Sequence, residues 1–268
     1  MILAFTLTLI AGLSTGLGGI ISVLSKKQNT KFLAVALGFS AGVMIYVSMV
    51  ELFAQANESL SLLYGIKRGG IYTAVAFFAG ILIIAVIDKL IPEKENPHEI
   101  KHKGDEPMFP AVQPGQTNTA QLFRTGAMTA LALTIHNFPE GLATFVTALK
   151  DPEIAIPVAA AIALHNIPEG IAVAMPLYFA SGSRKKALGF SFASGLAEPV
   201  GAVIGYLLLR NFISDALFGV VFAAVAGIMV FISIDELLPS AHEYGEHHLS
   251  IYGFIAGMAV MAVSLIIL

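Results

Sequence analysis

Apolar residues run along this chain in eight long stretches, roughly 2–24, 32–54, 71–90, 122–148, 154–179, 186–209, 212–238 and 251–268. Charges, glycines, prolines and short polar clusters divide them. Most reach the roughly 20 residues a helix needs to cross the hydrocarbon of a bilayer. In lipid every backbone N–H and C=O must find a partner within the protein, which leaves helices as the spanning form for segments of this length. The pattern therefore predicts an all-α fold, a polytopic bundle of eight transmembrane helices. The whole chain, 1–268, reads as a single membrane domain.

An even number of spans puts both termini on one side, and the basic residues say which. The odd loops hold Lys26, Lys27, Lys31, Lys89, Lys94, Lys101, Lys103, Arg124, Arg184, Lys185 and Lys186, whereas the even loops hold only Lys67, Arg68, Lys150 and Arg210. Loops rich in Lys and Arg stay in the cytoplasm. Both termini are thus expected outside, in the extracytoplasmic space. The third loop, about 92–121, is proline-rich with mixed charge and no apolar period. It reads as a cytoplasmic linker, and His98 and His102 within it read as solvated side chains. The first stretch lacks a basic segment before it and is followed by Lys26 and Lys27, an order that suits a retained helix rather than a cleaved leader.

Composition agrees. The chain is 56% hydrophobic and 12% charged, with a mean hydropathy of +0.80, whereas soluble domains carry about 25% charged residues. A net charge of −3 and a pI near 6.1 speak against nucleic-acid binding, which needs a basic face. Cysteine is absent, and with it any disulfide, thiolate ligand or thiol nucleophile.

Against this background the polar residues inside the apolar stretches stand out. The hexapeptide His136-Asn137-Phe138-Pro139-Glu140-Gly141 returns as His165-Asn166-Ile167-Pro168-Glu169-Gly170 in the next stretch. Ionisable groups at membrane depth are costly, so they face the bundle interior and mark a pathway. Residues three and four apart share a helix face, so each copy offers one imidazole, one amide and one carboxyl on one side. Pro139 and Pro168 cannot donate to the carbonyls of Ile135 and Leu164. A water or cation would satisfy those carbonyls, with Gly141 and Gly170 leaving room for close approach. The sixth stretch adds Glu198 before Pro199, and the seventh ends in Asp235, Glu236 and His242. Glu51, near the expected outer end of the second stretch, is equally readable as an interfacial carboxylate or as the mouth of a pathway. Asp235, Glu236 and His242 are readable as solvated charges or as an exit ladder.

Imidazole nitrogen combined with carboxylate and amide oxygen suits borderline divalent metals such as Zn²⁺, Fe²⁺, Mn²⁺ or Co²⁺, and the lack of sulfur argues against Cu⁺. Two rival patterns carry less. Gly38-Phe39-Ser40-Ala41-Gly42 matches the G-x-S-x-G of serine hydrolases, but that motif needs a strand-to-helix turn, and here it lies within an apolar helix where the glycines serve packing. The glycines Gly12, Gly16, Gly18 and Gly19 of the first stretch read the same way. No G-x-x-x-x-G-K-[ST] phosphate loop is present, so no ATP-driven step is expected.

The doubled HNFPEG and HNIPEG, with the Gly-Leu-Ala-Glu-Pro segment ending at Glu198-Pro199, resemble the ZIP family of metal transporters over nearly the whole chain. The resemblance implies uptake of zinc and other divalent metals (iron, manganese, cobalt, cadmium) through a binuclear centre in a bacterial inner-membrane protein, with no catalytic residues. It assigns His136, Glu140, His165 and Glu169 to one site. Asn137, Glu140, Asn166, Glu169 and Glu198 fall to the other, with Glu140 and Glu169 bridging. It also implies a homodimer. The alternatives are an intramembrane metal-dependent hydrolase, which would use the same ligands around an activated water, and a metal-sensing receptor without flux.

Overall fold

The computed structural model describes residues 1–24, 30–90, 119–150, 152–211, 214–244 and 247–267, and the regular elements among them are all helical. The expected linker lies outside the described residues except for its last three positions, and so do His98, His102, Lys26 and Lys27. In chain order the helices are α1 (Ile2–Leu24), α2 (Thr30–Tyr46), α3 (Phe53–Tyr64), α4 (Ile66–Leu90), α5 (Thr119–Lys150) and α6 (Pro152–Ser181). They are followed by α7 (Arg184–Gly195), α8 (Ala197–Leu209), α9 (Asp215–Ile232), α10 (Leu238–Tyr244) and α11 (His247–Ile267). Two π-helical turns, Val47–Leu52 and Ser233–Leu237, join α2 to α3 and α9 to α10 without ending the helix.

Seven helical segments among the described residues are long and apolar enough to cross a bilayer: Ile2–Leu24, Lys31–Tyr64, Ile66–Lys89, Ala155–Ser181, Arg184–Leu208, Asp215–His242 and His248–Ile267. They correspond to seven of the eight stretches read from the sequence. The remaining one, α5, is a helix of 32 residues that carries the first hexapeptide and is not among the seven.

One expectation needs correction. Glu51 does not stand near a helix end, because the helix of the second stretch runs on through the π turn to Tyr64. The extension is held by packing: Ala56 and Leu60 are buried, and Phe53 meets Phe77 of α4 edge to face at 5.3 Å.

Without a hydrophobic driving force between helices in lipid, close backbone approach through small residues does much of the packing. Here it sorts the helices into two sets. In the first, a Cβ on Gly12 would collide with the Gly195 carbonyl, on Gly170 with the Thr15 carbonyl, and on Gly141 with the backbone of Glu198, so α1, α5, α6, α7 and α8 are seamed together. In the second, Gly38 and Gly42 of α2 face the backbones of Ser250 and Phe254, and Gly253 and Gly257 of α11 face Val35 and Phe39. This gives the G-x-S-x-G segment its packing role. Gly80 of α4 and Gly227 of α9 likewise sit against Ala224 and Phe77, and Gly69 of α4 and Gly219 of α9 sit against Ser61 and Leu60 of α3, which continues α2, so α2, α3, α4, α9 and α11 make up the second set. The boundary between the sets is of another kind. Leu37 and Met44 of α2 and Phe222 and Met229 of α9 share one cluster of buried side chains with Val146 of α5 and Met175 of α6.

Candidate metal centre

The two hexapeptides lie in α5 and α6, with one residue between those helices. Pro139 and Pro168 remain inside continuous helix. The antiparallel hairpin brings the second copy onto the first: His165 Nε2 lies 2.9 Å from Glu140 Oε1, and both side chains are within 1% of complete burial. Asn137, Asn166, Glu169 and Glu198 are wholly buried as well.

The asparagines are oriented by backbone. Asn137 Nδ2 donates to the Ser194 carbonyl of α7 at 3.1 Å, and Asn166 Nδ2 donates to the Ala11 carbonyl of α1 at 2.9 Å. Asn166 Nδ2 also donates to Glu198 Oε1. A carbonyl accepts and cannot donate, so each contact fixes which end of the amide is NH₂. Asn137 Oδ1 and Asn166 Oδ1 are then turned away from those anchors, and neither has a hydrogen-bond partner among the described residues; nor has Glu198 Oε2. Buried acceptors of this kind are rare unless something else satisfies them. Ser40 of α2 donates to the His165 carbonyl at 3.2 Å, tying the hairpin to the second set of helices.

Glu140, Glu169, Glu198 and His165 lie close enough to act on one another's charge. Burying several ionisable groups together costs several kcal/mol for each ion left unpaired, so the cluster calls for compensating positive charge. Among the described residues no three His, Asp or Glu side chains are grouped so that they alone could hold a metal ion. The His136 side chain lies outside the described residues, although its backbone belongs to α5. The oxygens of Asn137 and Asn166 extend the donor set beyond those residue types.

The expected pathway residues fall in different places. Glu51 is half-buried and accepts a hydrogen bond from Gln55. Asp235 and Glu236 occupy the second π turn, Glu236 buried and Asp235 half-buried, with half-buried His242 one turn beyond in α10. Glu236 lies within electrostatic range of Asp88, Asp235 and, most weakly, Glu169 of the hexapeptide cluster. Sequence reasoning missed Asp88 at the end of α4, and it missed the Ala11 and Ser194 carbonyls. The signal beside the latter two was the glycine that follows each, Gly12 and Gly195, where α1 and α7 touch.

Fold and cluster together define a polytopic helical membrane protein with a buried set of imidazole, amide and carboxyl groups shared by consecutive helices. Residues 88–265 match the family described as ZIP Zinc transporter. Among curated proteins, the zinc transporter ZupT of Clostridium perfringens is 58% identical over 278 residues, covering 100% of this chain and 96% of the relative. That of Streptococcus mutans is 58% identical over 264 residues, covering 98% and 97%. That of Corynebacterium glutamicum is 56% identical over 267 residues, covering 100% and 99%. The chain belongs to the ZIP zinc transporter family.

Proposed function

We propose that this protein carries zinc, together with iron(II), manganese, cobalt and cadmium, across the bacterial inner membrane into the cytoplasm. The observation that carries this reading is the pair of buried asparagines. Their amides are anchored to backbone carbonyls so that their oxygens remain for a cation beside Glu140, His165, Glu169 and Glu198.

In this reading the chain crosses the membrane eight times as one domain, α5 being the fourth span, with both termini outside and the 92–121 loop in the cytoplasm. The ion loses water to the cluster at mid-depth. His136, Glu140, His165 and Glu169 hold one metal, and Asn137, Glu140, Asn166, Glu169 and Glu198 hold a second. Three carboxylates set minus three against the plus four of two dications, a deficit that favours release. Glu51 lies towards the entrance, and Glu236, Asp235 and His242 lie towards the exit. The metal gradient drives uptake. The seams within each helix set and the side-chain packing between the sets favour movement of one set against the other as the means of exposing the cluster to each side. A homodimer is compatible with the apolar outer faces of α4 and α11, where Phe78, Leu82, Ile255 and Val263 are exposed.

Purified protein in proteoliposomes provides the test. Zinc accumulates inside for the wild type, and Glu140→Ala and Glu169→Ala each reduce the rate by at least the ~10- to 100-fold that loss of a single outer-shell ligand partner costs at metal sites. Full flux in both variants sinks the reading. Chelator-sensitive cleavage of a substrate without metal accumulation would favour the hydrolase instead, and binding without flux the receptor.

A further inference from the structure

Helices α5 and α6 form a hairpin whose tip is Lys150, the last residue of α5. Among the described residues its ammonium makes three side-chain contacts, all with helices of the second set. Lys150 Nζ donates to Ser59 Oγ of α3 at 3.0 Å. It lies 3.5 Å from Asp215 Oδ1, in the first residue of α9. It also sits 5.4 Å from the centre of the Phe218 ring, one turn further along α9. The partners are placed for reasons of their own. A cation at a helix C-terminus and an anion at a helix N-terminus both complement the helix dipoles, and the start of α9 is capped by Ser214, whose Oγ accepts from the Leu217 N–H at 3.2 Å. Directly inside this contact lies Val146, one turn before Lys150 and part of the side-chain cluster at the boundary of the two sets.

From this geometry we infer that Lys150 is a latch. It holds the tip of the hairpin that carries the hexapeptides against α3 and α9 while the cluster is sealed from the outside, and it lets go when the cluster opens to receive an ion. The latch rests on the transporter reading and on the orientation given above, in which this end of the hairpin faces outside. An ion pair that is 31% exposed on Lys150 and 65% exposed on Asp215 is weak enough to break in every cycle. Supported by a hydroxyl and an aromatic face, it still selects one position of the hairpin.

The absence of native cysteine makes thiol chemistry clean. A Lys150→Cys, Asp215→Cys double variant is reconstituted in proteoliposomes and bridged by a short bis-methanethiosulfonate. Zinc uptake is measured before bridging, after it, and after reduction with dithiothreitol. The unbridged double variant transports, bridging abolishes uptake because an obligatory conformational step is blocked, and reduction restores it. Uptake by the bridged protein at the unbridged rate overturns the latch. Absence of uptake by the wild type would overturn the transporter reading itself. A second measurement needs no bridge. With Val146→Cys as the only thiol, Lys150→Met speeds labelling by a membrane-impermeant maleimide added outside by about 2- to 5-fold, the population change that loss of one exposed ion pair supports. Unchanged or slower labelling overturns the latch.

Discussion

An asparagine amide has a donating end and an accepting end, and at positions 137 and 166 the fold uses both. The NH₂ is committed to a backbone carbonyl, at Ser194 and at Ala11, and the oxygen is kept for the cluster. Replacing Asn166 with Asp separates the two uses. The carboxylate cannot donate to Ala11 or Glu198, a loss of roughly 1–3 kcal/mol per orphaned buried partner. It also adds a negative charge beside a dication, worth about 4 kcal/mol per unit pair at 4 Å in an effective dielectric near 20, and twice that for a doubly charged ion. The charge outweighs the hydrogen bonds. Asn166→Asp is therefore expected to lower the half-saturating zinc concentration and also the maximal uptake rate, because a tighter site releases its ion more slowly. A concentration-dependence series settles the sign; a raised half-saturation with an unchanged maximal rate would mean that the anchor dominates. The choice of His, Asn and Glu was legible in the chain because their offsets repeat. Their orientation was not, since backbone carbonyls are present at every position and carry no sequence signal.

The sequence also pointed to the glycines of the hexapeptides as places of close approach. Gly141 and Gly170 leave that room, and it is the backbones of Glu198 and Thr15 that approach there. The glycines serve helix contact, drawing α8 and its Glu198 onto α5 and drawing α1 onto α6. A Cβ at Gly141 forces these backbones apart, and overpacking of this kind costs typically 1–3 kcal/mol, about that much here. Gly141→Ala is expected to lower the thermal midpoint in detergent and to reduce uptake by displacing Glu198. Gly189→Ala is the matched comparison. Nothing lies within 4 Å of the added Cβ, so removing a helical glycine there leaves the midpoint equal or higher, by up to ~1 kcal/mol of helix preference. Equal destabilisation by the two substitutions would remove the argument from contact. The extent of the second stretch was poorly legible from sequence. Glu51 looks like an end, yet the π turn and the burial of Ala56 and Leu60 carry the helix on to Tyr64.

At the scale of the molecule the number of spans turns on α5. Seven segments qualify as spans on length and apolarity, and α5 is the helix whose polar residues lower its apolar character while its neighbours in the bundle cover them. Asn137 and Glu140 are buried and face protein rather than lipid if α5 crosses, so lipid does not see polar groups that an average over the helix counts. Parity makes the question measurable. With α5 crossing, the chain has eight spans, and Ile2 and Ile267 lie on the same side; with α5 not crossing, it has seven, and they lie on opposite sides. The basic-residue asymmetry adds which side. In a protein without native cysteine, single substitutions Ile2→Cys, Lys67→Cys and Ile267→Cys are expected to react with an impermeant maleimide in intact cells, and Lys185→Cys only after the membrane is permeabilised. Labelling of Ile2→Cys and Ile267→Cys from opposite sides would remove α5 from the membrane. The hairpin with α6 would then lose its shared depth, and the contact of His165 with Glu140 would have to form at the bilayer surface. The complete burial of both residues argues against that position, because groups at the surface have water available and need no such enclosure.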